Sequence, residues 1–169
     1  NKDVSVAVNV SRVDTFESGF ADRLAREVDG YGLRRDALRL EITETAYIQN
    51  ETHICRVVAA LRERGFRVEM DDFGSGFSSL NTLKDLPVDT LKLDMKFLLN
   101  SESERGSIIL ISVVEMARRM RLPMIAEGVE NPEQTKLLKN WDCNTVQGYY
   151  FARPMPAEAF EKLIDETQR

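Results

Sequence analysis

The chain has 169 residues, 43% of them hydrophobic, enough to bury one substantial core and unlike a disordered or fibrous composition. Its 28 acidic side chains outnumber the 23 basic ones, for a formal net charge of −5, which excludes a basic field able to hold a nucleic-acid polymer by its phosphates. No apolar run approaches the ~20 residues that span a bilayer, and the first residues lack the pattern of a signal peptide, so the expected location is cytoplasmic.

Val4, Val6, Val8 and Val10 alternate with Ser5, Ala7 and Asn9, a period-two pattern that predicts a strand ending near Ser11. The chain opens at Asn1 directly into this strand, so further sequence upstream is expected. Phe16, Phe20, Leu24 and Val28 recur every four residues and predict one helix that stops by Gly30 and Gly32. Leu38, Leu40 and Ile42 alternate with Arg39, Glu41 and Thr43 as a second strand. A helix with Ile54, Val57, Val58 and Leu61 follows, closed by Gly65. His53, at the start of that helix, is expected to be exposed.

A third strand, 66–72, runs into the loop 73–77 with its glycines Gly74 and Gly76, and then a short helical stretch ends before Pro87. Residues 90–94 make a fourth strand. Ile108, Ile111, Val114, Met116 and Met120 mark a long helix, and 124–127 a fifth strand after Pro123. Pro132 opens another helix, 145–151 read as a sixth strand, and a closing helix carries Phe160, Leu163 and Ile164. Cys55 and Cys143 are far apart, without the spacing of a zinc site or a disulfide framework, and are expected to be buried thiols.

Strands that alternate with helices imply parallel βαβ crossovers and an α/β fold. About six βα units are visible, whereas a closed eight-unit barrel takes about 250 residues, so the expectation is an incomplete TIM-like (β/α) barrel. An open doubly wound sheet also fits six strands, but its phosphate-binding glycine motif is absent after the first strand.

Each predicted strand carries a polar residue at its C-terminal end: Asn9, Glu41, Asp71 with Asp72, Lys92 with Asp94, Glu127 and Gln147. In a parallel barrel those ends meet at one face. Singly, each has a plain reading: a cap or surface residue for Asn9, Glu41 or Glu127, an Asx turn for Asp71 and Asp72, an internal ion pair for Lys92 and Asp94. Six in a row at the same end point instead to a shared site. Carboxylates brought together would repel unless cations neutralise them, and an all-oxygen donor set suits magnesium or manganese.

The segments 8–11, 41–44, 71–80, 91–94, 126–130 and 147–149 resemble, in this order, the motifs of the EAL domain family, and the resemblance runs from about Val4 to Ile164. It implies a modified TIM-like barrel that hydrolyses cyclic di-GMP to linear pGpG with two magnesium or manganese ions. By that resemblance Asn9, Glu41 and Asp71 are ligands of one ion, and Asp71, Asp72 and Glu127 of the other. Lys92 contacts the nucleophilic water, Asp94 adjoins the metal site, Gln147 contacts substrate or water, and Glu130 is a further site residue. Glu44 steadies the loop 73–80, which in this family couples metal binding to dimerisation.

Also implied are a homodimer and a larger signalling protein, in which a diguanylate cyclase-like or sensory domain is fused to this one. That protein would be cytoplasmic, or membrane-tethered with this part in the cytoplasm. Residues 1–169 are accordingly expected to be one EAL phosphodiesterase domain without its N-terminal part. The family's EAL tripeptide, whose glutamate completes the first metal site, and the phosphate-binding arginine after it have no counterpart here. The alternative expectation is a catalytically inactive EAL domain that binds cyclic di-GMP or a partner protein.

Overall fold

A computed structural model of the chain describes residues 4–74, 87–94 and 104–167. Its strands are β1 (Val6–Asn9), β2 (Leu38–Thr43), β3 (Arg67–Phe73), β4 (Thr90–Leu93) and β5 (Met124–Ala126). They form one parallel sheet in the order β1-β2-β3-β4-β5, the sequential wall that a (β/α) barrel builds. The helices are α1 (Arg12–Phe16), α2 (Phe20–Gly30), α3 (Glu44–Gln49), α4 (Glu51–Glu63), α5 (Glu104–Arg119), α6 (Pro132–Asn140) and α7 (Ala157–Thr167), with a 3-10 turn at Arg35–Ala37.

Strand register separates two faces. Leu40 pairs with Val68, Ile42 with Met70, Met70 with Leu91, and Leu93 with Ala126, so these apolar side chains share one side. They are fully buried in a core that takes Ile54, Val58 and Leu61 from α4 and Leu110, Val114 and Ala117 from α5. Each such side chain contributes roughly 1.5–3 kcal/mol through burial, which makes this side the one that holds the layers together. The opposite side carries Arg39, Glu41, Glu69, Thr90 and Lys92. Four of these five are buried as well, Arg39 being the half-buried exception.

Several local expectations need correction. The four-residue repeat from Phe16 to Val28 is two helices, because Gly19 takes the left-handed region at φ 75° and caps α2, leaving Phe16 exposed at the end of α1. β1 is exposed along its length, Val6 and Val8 included, since among the described residues it has β2 as its one strand neighbour. The sixth strand shrinks to a single bridge between Ala126 and Val146, after which residues 148–151 turn. His53 is half-buried rather than exposed. Its ring stacks on Phe16 at 4.3 Å, and Nε2 lies 2.9 Å from the Thr15 carbonyl, which can only accept, so Nε2 bears the proton. Cys143 is buried but Cys55 only half-buried, and neither is in a disulfide. The loop 75–80 and the helical stretch before Pro87 lie outside the described residues.

α6 shows how closely a sequence signal can fix an element. Asn131 accepts from Gln134 N at 2.9 Å, the Gln134 side chain returns to the Asn131 N–H, and Pro132 supplies the first helical residue.

Candidate active site

The polar side of the sheet ends in a cluster built on one cation. Lys92 lies at the centre of β4, between β3 and β5, and its side chain is 4% exposed. The ammonium Nζ donates to Glu41 Oε1, and it stands 2.7 Å from Glu127 Oε1 and 3.1 Å from Asp71 Oδ1. Glu41 comes from β2, Asp71 from β3, and Glu127 from the residue after β5, so four successive strands each supply one group.

A β-bulge helps to assemble it. Met70 pairs with Leu91 and Phe73 with Leu93, so three steps on β3 match two on β4. Strict alternation would turn Asp72 into the core. With the extra residue, Met70 and Phe73 both face the core while Asp72 stays exposed in the left-handed region at φ 56°.

Electrostatics follow from the count. Three carboxylates around one ammonium leave a formal surplus of two negative charges in a partly buried space. Burial pushes the Glu127 carboxyl up to about 7; the Lys92 hydrogen bond opposes the rise, and the neighbouring Asp71 adds to it. For Lys92, burial disfavours the charge, but hydrogen bonds to Glu127 and Glu41, with Asp71 nearby, hold its pKa above the ordinary lysine value. It is therefore an ammonium at neutral pH.

The other predicted site residues range from exposed to buried. Asn9 is the register partner of Glu41 and is exposed, and Asp94 is half-buried two residues beyond Lys92. Glu130 is exposed, its backbone N–H donating to Gln134 Oε1 at 2.7 Å. Gln147 is exposed, but its backbone is pinned to the Glu127 loop: Gln147 N donates to Ala126 O at 2.8 Å and Val129 N to Gln147 O at 3.0 Å. Glu44 is buried at the start of α3 and accepts from Gly74 N at 3.2 Å, tying the beginning of the predicted loop to the neighbouring strand end.

Sequence reasoning missed two residues that support the site. Glu69, two residues before Asp71, is buried and ion-paired at 2.7 Å with Arg39, which lies two residues before Glu41. Their shared parity with Asp71 and Glu41 is the signal that could have found this pair. Gly148 is the second: a Cβ there would come within 2.1 Å of the Val129 carbonyl oxygen.

Among the described residues, no three acid, histidine or cysteine side chains surround a common point as ligands of one ion. The carboxylates turn to Lys92 instead. The donors nonetheless fit a hard divalent cation, because Glu41, Asp71 and Glu127 offer only oxygen. Asp71 Oδ1 supports the fit directly: it is buried, and despite its 3.1 Å separation from Nζ no donor is aligned with it as a hydrogen bond.

The pattern of the EAL domain matches residues 1–154. The chain is 37% identical over 160 residues to the cyclic di-GMP phosphodiesterase NbdA of Pseudomonas aeruginosa, covering 94% of this chain and 20% of NbdA. A solved structure described as PaMucR phosphodiesterase in complex with c-di-GMP superposes with a TM-score of 0.85 at 32% identity, covering 92% of this chain and 64% of that one. A manganese and cyclic di-GMP complex of Klebsiella pneumoniae BlrP1 gives a TM-score of 0.82 at 30% identity, covering 89% and 39%. The chain spans about a fifth to a quarter of the length of the curated relatives it matches.

Proposed function

The chain belongs to the EAL domain family, and we propose that it hydrolyses one phosphodiester of cyclic di-GMP to linear pGpG with the help of two magnesium or manganese ions. The observation that carries this reading is that Glu41, Asp71 and Glu127, from separate strands, all meet the Lys92 ammonium. The metal and ligand named for the BlrP1 and PaMucR structures support it.

In this reading Asn9, Glu41 and Asp71 would hold one ion, and Asp71, Asp72 and Glu127 the other. The chemistry supplied there would be neutralisation of the phosphodiester charge and a lowered pKa for an attacking water. Asp71 suits the shared position because its buried oxygen has no aligned donor. Lys92 acts as a hydrogen-bond donor to that water or to a phosphate oxygen. Asp94 adjoins the site, Gln147 contacts substrate or water from the pinned loop, Glu130 is a further site residue, and Glu44 steadies the loop that begins at Gly74.

Residues 1–169 then act as one EAL phosphodiesterase domain. It works as a homodimer within a larger cytoplasmic or membrane-tethered signalling protein, and the length of the relatives supports the larger chain. Among the described residues no helix is long and apolar enough to cross a membrane.

The test is to incubate the intact protein with cyclic di-GMP and magnesium or manganese. Accumulation of pGpG that is lost in Glu41→Ala is expected, and product no greater than in that variant would overturn the reading. One observation favours a second reading, a domain that binds cyclic di-GMP without cleaving it: the Lys92 ammonium engages three of the four carboxylates that the ions would need. Calorimetric affinity for cyclic di-GMP without turnover would select it.

A further inference from the structure

At the N-terminal end of the strands, away from Lys92, a cleft of about 620 Å³ is lined by Arg34, Arg35, Arg62, Arg64 and Arg67. Three of these guanidiniums are neutralised by a carboxylate of their own: Arg34 by Asp36 at 3.0 Å, Arg35 by Asp29 at 2.5 Å and Arg64 by Asp22 at 2.8 Å. Arg62 and Arg67 share a single one. Arg62 Nη2 lies 3.2 Å and Arg67 Nη1 3.0 Å from the same oxygen, Asp89 Oδ1. The other Asp89 oxygen accepts from Val68 N at 2.9 Å, so the carboxylate that holds both arginines is itself fixed to β3.

This arrangement leaves one positive charge in surplus, on a chain whose net charge is −5. A guanidinium has five N–H donors, and among the described residues Arg62 and Arg67 each engage one, on Asp89. Guanidiniums with donors to spare match the several oxygens and the negative charge of a phosphate. A cleft of this volume admits a ligand up to the size of a nucleotide.

We propose that the cleft is a second, phosphate-class anion site, with Arg62 and Arg67 as its main ligands and Arg34 at its rim. Neither divalent ions nor the carboxylate cluster at the far end of the strands take part.

The probe is pyrophosphate, titrated calorimetrically into the intact protein at low salt with EDTA present and no cyclic dinucleotide. Saturable binding is expected, weakened about tenfold in Arg67→Gln, the effect of losing one charge-assisted hydrogen bond. Asp36→Asn, which removes the carboxylate paired with the exposed Arg34, should tighten binding. Absence of saturable binding, or wild-type affinity in both Arg67→Gln and Asp36→Asn, overturns the proposal. Either failure leaves the hydrolase reading intact, because no divalent ion or substrate enters the experiment.

Discussion

Lys92 keeps its charge in a buried position because Glu41, Asp71 and Glu127 surround it, and burial in the same cluster acts on the Glu127 carboxyl. Glu127 is where this can be measured. Its pKa of about 7 in the metal-free protein lies above the ordinary 4.5, so the folded chain holds that proton more tightly than the unfolded one. Its contribution to metal-free stability is therefore fully present below pH 4.5 and is lost as pH rises through about 7. Carbon-13 titration of the carboxyl should find the raised midpoint. In Lys92→Met, which removes the hydrogen bond that opposes the shift, the midpoint should rise further, and a midpoint near 4.5 in either protein would refute this electrostatic account. At Asp71 the expectation is chemical: Asp71→Asn should lower turnover of cyclic di-GMP by several orders of magnitude, because one carboxylate serves both ions. Near-normal turnover would remove its bridging role.

Secondary elements set these residues in place through features that differ in how visible they are. The alternation in β2 and β4 was readable directly, since Leu40 and Ile42 or Leu91 and Leu93 face the core while Glu41 and Lys92 face the site. The β3 bulge was not, because alternation alone cannot reveal an inserted residue, and it is the bulge that keeps both Asp71 and Asp72 off the core side. Beneath the site, Arg39 neutralises the buried Glu69. Arg39→Ala should cost about 2 kcal/mol in denaturant unfolding, less than for a fully buried pair because Arg39 is itself partly exposed. A loss within experimental error would show Glu69 to be satisfied otherwise. The 147–150 segment looked like a strand from its composition, yet its backbone wraps the Glu127 loop, with Tyr150 N donating to Val129 O at 3.0 Å. Gly148 permits that approach. Gly148→Ala forces backbone apart at a 2.1 Å contact and should destabilise the chain by about 2 kcal/mol or more, and an unchanged melting curve would contradict the packing described.

Across the molecule, the α/β class and the parallel order were legible because hydrophobic period reports which side of an element is covered. The exposure of β1 was not, since the alternation at Val6 and Val8 marks a strand only, and burial depends on neighbours that a local pattern does not contain. The same limit applies to the site. Strand ends pointed to Glu41, Asp71, Lys92 and Glu127 among others, but did not reveal that these four would meet with Lys92 standing among the carboxylates, because that depends on side-chain reach across three neighbouring strands. Calorimetric titration of the intact protein with manganese tests whether these groups form a metal centre. The account predicts saturation at two ions per chain, with loss of both in Asp71→Asn. No saturable binding, or the same stoichiometry in the variant as in the wild type, would contradict it.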